Sequence, residues 1–366
     1  MKKIQAIGGT KMTDIYIQAV SHYVPSGRMT NEQVMKMLED ENRFVLSDEE
    51  LKFVYYGNKR KLEFLGGSTR SFCTDGEGYV DMAVNVAKGA LEKAGIKASE
   101  IDCLIATGIS NPIREPSLSI IIAHEIGMEN GIFFDITDAC NGFMQSVRTA
   151  CLYLKSGICR NALVVACESP LEVKESLKAG FEVEHISQID NRFSNLMIGT
   201  GAGAVLLGCE GDRRRLVNLD EKMESKDWDA SIITFPDVKI PETRYGKTRL
   251  RGFWTDARNI SSIWRRGTVK FIQESVEKWN IHLDDIDIFL LHQLGDNITF
   301  SILKQIGVDK TKAPLNTFNE YGNLASANIP VLMSIAEEKG IVKEGTSVLL
   351  ASGGGGFSYS AAHLIW

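Results

Sequence analysis

Residues 81–105 read DMAVNVAKGALEKAGIKASEIDCLI, and residues 267–290 read GTVKFIQESVEKWNIHLDDIDIFL. Each pattern is an amphipathic helix, a short turn and an Ile-Asp step into an apolar strand. Glu92-Lys93 matches Glu277-Lys278, and Ile101-Asp102 matches Ile286-Asp287, both at a numerical offset of 185. The next units match as well. Residues 141–156 (NGFMQSVRTACLYLKS) predict a helix, followed by Gly157-Ile158 and a strand over 162–167. Residues 324–338 (LASANIPVLMSIAEE) predict another, followed by Gly340-Ile341 and a strand over 346–351. Gly157 and Gly340 match at an offset of 183, and Ala166 and Ala351 at 185. The chain is therefore read as a duplicated α/β unit, with halves over 1–210 and 211–366 and helices buried between stacked sheets.

Size and composition agree. A chain of 366 residues is too long for one core of ordinary size. Hydrophobic residues make up 44% and charged residues 24%, the balance of a globular protein. Lys+Arg is 41 against 47 Asp+Glu, and the net charge of −6 argues against nucleic-acid binding. No apolar run reaches the roughly 20 residues that span a bilayer, so membrane insertion is not expected. The start has no signal-peptide pattern, and Met12 is a candidate first residue with 1–11 as a leader. Seven cysteines without a CxxC fit reduced thiols in a cytoplasm, neither a disulfide framework nor a zinc site.

Cys140 follows a predicted buried strand at 131–137 and precedes the helix from Asn141. A cysteine at a helix N-terminus is a candidate nucleophile, because the helix dipole favours the thiolate by about 0.3–1 kcal/mol. His292 ends the strand IFLLHQ, where α/β proteins place active-site groups. Asn323 holds the place in the second copy that Cys140 holds in the first, at the offset of Gly157 to Gly340, and it also suits a helix N-cap there. The repeat thus predicts that Cys140 and Asn323 meet near a pseudo-two-fold axis. His124, inside an apolar helical run, is read as a packing histidine. The run Gly353–Gly356 lets backbone N–H groups approach a reacting carbonyl. GTGAGA at 199–204 lacks the spacing of a nucleotide loop and leads into an apolar strand. Residues 30–75, 170–197 and 211–262 interrupt the pattern, and the last is read as a cap over the site.

DACNGF at Cys140, LLHQ at His292, YGNLASANIP at Asn323 and SGGGGFSYSAA near the end together resemble β-ketoacyl-ACP synthase III, a branch of the thiolase superfamily. VPSGRMTNEQV and GTGAGAVLLG match the same pattern, and the resemblance covers nearly the whole chain from Met12. It implies a five-layer αβαβα thiolase fold, a homodimer, acyl-CoA or acyl-carrier-protein thioesters as substrates, and no metal or redox cofactor. Cys140 is then the nucleophile, His292 and Asn323 the enolate site, and the N–H groups of Cys140 and Gly355 an oxyanion hole. The implied reaction is a Claisen condensation in fatty-acid-like or specialised metabolism. Acyl transfer to an oxygen or nitrogen nucleophile and a non-catalytic partner subunit are the alternatives. The intact Cys140, His292 and Asn323 weigh against both.

The departures from the family pattern concern the substrate. The Trp that stacks on the CoA adenine is missing from Ser47-Asp48-Glu49-Glu50-Leu51, while an arginine that flanks the adenine matches Arg192. The carrier-facing Arg after the His-Gln step is Asn297, leaving Arg265, Arg266 and Lys270 to face an acidic carrier. The family's interface-crossing Phe is Glu115 here, in Arg114-Glu115-Pro116-Ser117. Relatives that join two acyl thioesters carry a glutamate at this place. Glu115 is accordingly a candidate base acting on the partner subunit's site.

Overall fold

Both quoted stretches fold alike in the computed structural model, which describes residues 14–170, 181–211, 213–234, 238–250, 252–256 and 259–366. The leader expected over 1–11 lies outside these residues, as do parts of the inserts at 170–197 and 211–262. Strand β1 (Ile15–Tyr23), the short β2 (Gly27–Thr30) and β3 (Thr69–Phe72) precede the first repeat unit. That unit is the helix Tyr79–Ala94 followed by β4 (Cys103–Thr107). The first half continues through β5 (Ile132–Ile136), the helix Gly142–Lys155, β6 (Asn161–Glu168) and β7 (Gly201–Gly208). The second half holds β8 (Arg215–Met223), β9 (Ser231–Thr234) and β10 (Gly252–Thr255), then the helix Ile260–Trp279 and β11 (Ile288–Leu291). The helices Asp296–Gln305 and Asn328–Glu338, β12 (Ser347–Gly354) and β13 (Ser358–Ile365) complete it.

The shared sequence pattern has shared physical causes. The helix Tyr79–Ala94 buries Met82, Ala83, Val86, Ala87, Ala90 and Leu91, a stripe at helical spacing. It stops at Gly95, in the left-handed conformation at φ 68°. Its counterpart stops at Asn280, also left-handed at φ 55°, which asparagine tolerates better than most residues. The Ile-Asp step is a strand clamp. The Asp102 carboxylate accepts the N–H groups of Arg160 (2.7 Å) and Asn161 (3.1 Å), at the start of β6. The Asp287 carboxylate accepts the Ser347 N–H at 2.8 Å, at the start of β12.

The strands run in the order β11-β12-β13-β8-β1-β7-β6-β4-β5. β4 is parallel to β6 and β11 is parallel to β12, while β6–β7 and β12–β13 are antiparallel. The two halves therefore repeat one topology and join where Ile15 and Tyr16 of β1 pair with Leu216 and Arg215 of β8. The ladder corrects one sequence match. Asn161 pairs with Gly208 as Ser347 pairs with Ile365, so β6 and β12 correspond at an offset of 186, and Ala166 answers to Ser352 instead of Ala351.

One core joins the halves. It combines Phe143, Met144 and Val147 of one helix and Val331, Leu332 and Met333 of another with strand residues from both halves. Every residue from Asn328 to Ala336 is buried, as expected of a helix covered on every side. Two further cores lie outside the sheet halves, one under Tyr79–Ala94 and Leu118–Ile126, the other under Ile260–Trp279 and Asp296–Gln305. The order helix, sheet, helix pair, sheet, helix is the expected five-layer thiolase architecture. The strand expected to be buried at 131–137 is an edge. Every residue of β5 is only half-buried, because no described strand pairs with its outer side.

The charge-rich segment 30–75 folds into helices Asn31–Asn42 and Asp48–Leu65, each with a reciprocal side-chain cap at its start. They pack with Phe181, Val183, Ile189 and Leu196 into a separate cap. Of the insert at 211–262, β8 belongs to the main sheet, which the sequence reading had not expected.

Candidate active site

Cys140, His292, Asn323 and Gly355 line a single cavity of about 470 Å³. Much of the remaining wall is apolar, including Phe193, Met197, Phe253, Trp264, Leu294 and Phe357. Ser231, Phe253 and Thr255 bring the expected cap segment to this wall. A space of this size and lining suits an acyl chain.

Cys140 leaves β5 through a sharp turn, with Ala139 at φ 45° and the Asn141 N–H on the Asp138 carbonyl at 2.9 Å. The Ser352 hydroxyl, from the second half, donates to the Cys140 carbonyl at 3.3 Å. The glycine run packs on this turn. A Cβ on Gly354 would meet the Asp138 carbonyl oxygen at 2.8 Å and the Ala139 Cβ at 3.1 Å, so close approach demands glycine there.

Larger effects than the helix dipole act on the thiol. Burial, with the Glu168 and Asp138 carboxylates, pushes it up from 9.0 to about 12. That change exceeds several-fold the 0.3–1 kcal/mol, roughly, that the helix N-terminus contributes. The resting sulfur is therefore protonated. His292 is shifted the opposite way. Burial lowers it from 6.5 to about 4, against a smaller opposing pull from the neighbouring Asn328 side chain. The resting pair is a neutral thiol and a neutral imidazole.

His292 is 1% exposed, and neither ring nitrogen reaches a well-formed hydrogen bond among the described residues. Leaving a buried polar group unpaired costs about 1–3 kcal/mol, which favours a hydrogen bond from this ring to a polar atom in the cavity. Its edge faces Trp264, with ring centroids 6.0 Å apart. The neighbouring Gln293 accepts the N–H groups of Thr317 (2.8 Å) and Phe318 (3.1 Å) and donates to the Leu315 carbonyl (2.6 Å). It thereby fixes the chain that leads to Asn323.

Asn323 is held from both sides. Its backbone N–H donates to the Met197 carbonyl (2.8 Å), and its carbonyl accepts the Gly199 N–H (2.9 Å). Its side-chain oxygen accepts the Ala325 N–H at 2.9 Å, which directs the NH₂ group away from that bond. The cap role expected of Asn323 is thus played on the 3-10 turn Ala325–Ala327, and the α-helix begins only at Asn328. Two such donors, one imidazole and one carboxamide, can stabilise charge on an oxygen between them.

The other predicted residues fall elsewhere. Glu115 is exposed and does not line its own chain's Cys140 cavity. Arg192 is buried, donates to the Phe253 carbonyl at 3.2 Å and lines an adjacent cleft with Lys247, Arg249 and Trp254. Arg265 donates to the Ser301 hydroxyl at 3.2 Å, Arg266 is exposed, and neither lines the cavity. Asn297 donates to the Phe64 carbonyl and ties the cap to the helix Asp296–Gln305. His124 is exposed and is not a packing residue. Among the described residues, the cations that do line the cavity are Arg60 and Lys61, the latter paired with Asp190. Sequence reasoning missed them, since a helical stripe does not say which face meets a cavity built from distant segments.

Comparisons with known proteins bear on the family and the fold. The 3-oxoacyl-[acyl-carrier-protein] synthase III model matches residues 134–225, and its C-terminal model matches 276–366. The β-ketoacyl-[acyl-carrier-protein] synthase III of Limosilactobacillus reuteri is 29% identical over 350 residues, covering 95% of this chain and 98% of that protein. The Streptococcus pneumoniae enzyme is 27% identical over 342 residues, covering 93% and 95%. Xanthomonas campestris OleA, as a cysteine-to-serine variant with bound lauric acid and lauroyl-CoA, superposes with a TM-score of 0.82 at 21% identity, covering 97% of this chain and 100% of that one. The 3-oxoacyl-[acyl-carrier-protein] synthase III of Aquifex aeolicus does so at 0.77 and 22%, covering 96% and 100%. With two family models spanning half of its length and a thiolase fold around a Cys-His-Asn cavity, the chain belongs to the 3-oxoacyl-[acyl-carrier-protein] synthase III family of condensing enzymes.

Proposed function

We propose that the protein joins two acyl thioesters by Claisen condensation through an acyl-Cys140 intermediate. The observation that carries this reading is the meeting of Cys140, His292, Asn323 and Gly355 in one apolar cavity. The Cys140 sulfur attacks the donor thioester, the donor's thiol leaves with the sulfur's proton, and the acyl group stays on Cys140. The N–H groups of Cys140 and Gly355 receive the carbonyl oxygen during this exchange. The second thioester then enters with its carbonyl oxygen between the neutral His292 N–H and the Asn323 NH₂. These donors stabilise its enolate. The enolate carbon attacks the acyl-Cys140 carbonyl and expels the sulfur, which takes up a proton and is a thiol again. Acylation holds the electrophile in place and divides a difficult step in two. No metal or redox cofactor enters this scheme. The thioester carrier is either CoA or an acyl carrier protein, and Arg60 and Lys61 line the same cavity to meet its anionic part.

The enzyme acts as a homodimer in this account, and Glu115 serves the partner's site as the base that forms the enolate. Its loop is tied to the open edge strand. The Asp135 carboxylate, on β5, accepts the N–H groups of Leu118 (2.8 Å) and Ser119 (2.9 Å), just after Glu115. A second copy that paired along β5 would therefore meet this loop. The test is complementation. Cys140→Ala and Glu115→Ala homodimers are expected to form no β-ketoacyl product, while the mixed dimer regains activity at its one complete site. A Glu115→Ala enzyme with full activity contradicts the trans role. A mixed dimer that stays inactive also contradicts it.

A further inference from the structure

Glu168 closes β6 and is 2% exposed. Its carboxylate accepts five hydrogen bonds. One oxygen takes the N–H of Ile109 (3.0 Å) and both the N–H (3.3 Å) and hydroxyl (2.5 Å) of Ser326. The other takes the N–H (3.0 Å) and hydroxyl (2.7 Å) of Ser110. Every one of these partners is a donor, the complement that a buried carboxylate needs. The five bonds also join distant parts of the chain. Ile109 and Ser110 open the loop that carries Glu115. Ser326 belongs to the 3-10 turn Ala325–Ala327, which the Asn323 side chain caps.

We propose, on the condensing-enzyme reading above, that Glu168 is a positioning residue for the carbon–carbon bond-forming step. Its two oxygens lock the turn behind Asn323 to the Ile109–Ser110 loop. Acyl transfer to Cys140 does not need Asn323, so Glu168 acts on the second half-reaction. Glu168 is also one of the anions that face Cys140. The other is Asp138 in the nucleophile turn, while Asp190, the neutral His292 and the cations Arg60 and Lys61 line the same cavity.

The test uses the full-length enzyme with three variants and two readouts. Glu168→Gln offers one acceptor oxygen where five donors converge. It is expected to lower condensation kcat by about 10- to 100-fold, with kcat/KM for the acyl donor and the yield of acyl-Cys140 unchanged. Glu168→Asp keeps the charge but shortens the arm, and Ser326→Ala removes one bond, so each slows condensation less. The second readout is iodoacetamide alkylation of Cys140 against pH, without substrate, followed by peptide mass. Glu168→Gln removes a facing negative charge and shifts the alkylation profile to lower pH, while the Asp and Ala variants leave it in place. Wild-type condensation and alkylation in a folded Glu168→Gln enzyme overturn the proposal. Should that variant not fold, full condensation rates in both Glu168→Asp and Ser326→Ala overturn it equally. Failure of the functional reading looks different, because the wild type itself would give no condensation product while its alkylation profile stayed measurable.

Discussion

Tyr79 in the first half and Trp264 in the second are counterparts in the repeat, each in the first turns of an outer helix. Tyr79 donates its hydroxyl to the Cys167 carbonyl at 2.9 Å, and Trp264 donates its indole N–H to the Gly353 carbonyl at 3.2 Å. Cys167 and Gly353 are themselves equivalent by the strand ladder. The frame is thus the same down to single bonds, while the chemistry on it differs. Thr107 stands at the end of β4, and His292 stands at the matching place after β11. Cys140 has Asn323 as its counterpart, and Glu168 has Gly354, where a side chain would strike the nucleophile turn. Duplication supplied two equal positions at each place around the axis. In the proposed reaction one half holds the electrophile and the other the enolate.

That division can be broken in order of expected effect. Removing either enolate donor, by His292→Ala or Asn323→Ala, is expected to leave acylation of Cys140 intact. Condensation should fall by roughly 10²- to 10³-fold, the usual loss for one such donor. Product formation measured beside acyl-enzyme yield checks this, and equal losses in both would contradict the division.

The next effect is on stability against pH. His292 titrates near 6.5 when unfolded and near 4 when folded, so between these values the unfolded chain binds more protons. Stability should therefore rise with pH across that window and level off above it, with a contribution on the order of 3 kcal/mol. Melting curves measured across that window should give a flatter pH dependence for His292→Asn than for the wild type. His22 and His363, also lowered by burial, add the same slope to both proteins.

Gly354→Ala comes third. The added methyl meets the Asp138 carbonyl oxygen, and overpacking of this kind costs about 1–3 kcal/mol. The variant should melt lower and acylate more slowly, while an unchanged acylation rate would mean that the turn yields. The smallest effect sharpens the comparison most. Tyr79→Phe and Trp264→Phe each remove the matched bond, worth about 0.5–1.5 kcal/mol, and should lower Tm alike. Only Trp264→Phe should also slow condensation, because Trp264 borders the cavity and His292 while Tyr79 does not.

The fold and the three central residues were legible because each is tied to a local pattern. The helix stripes, the Ile-Asp clamps and the strand-to-helix turns all recur at nearly fixed spacing, and Cys140, His292 and Asn323 sit at their ends. Residues whose partners are remote were not legible. Glu168 ends an apolar strand, and its partners lie in the loops at 109–110 and 326, which only the fold brings onto it. Arg60 and Lys61 meet the cavity only because the cap helix lies over segments from 190 to 357. The forces on the Cys140 thiol were not legible either, since burial and the Glu168 and Asp138 carboxylates outweigh the nearby helix dipole.

The central claim is that the first half alone takes the acyl group. Intact-protein mass after incubation with a panel of acyl-CoA and acyl-carrier-protein thioesters tests it most directly, using the wild type, Cys140→Ala and Asn323→Ala. The account predicts one acyl adduct on the wild type and on Asn323→Ala, and none on Cys140→Ala. An adduct that persists without Cys140, or a folded wild type that takes no acyl group from any donor, would contradict it.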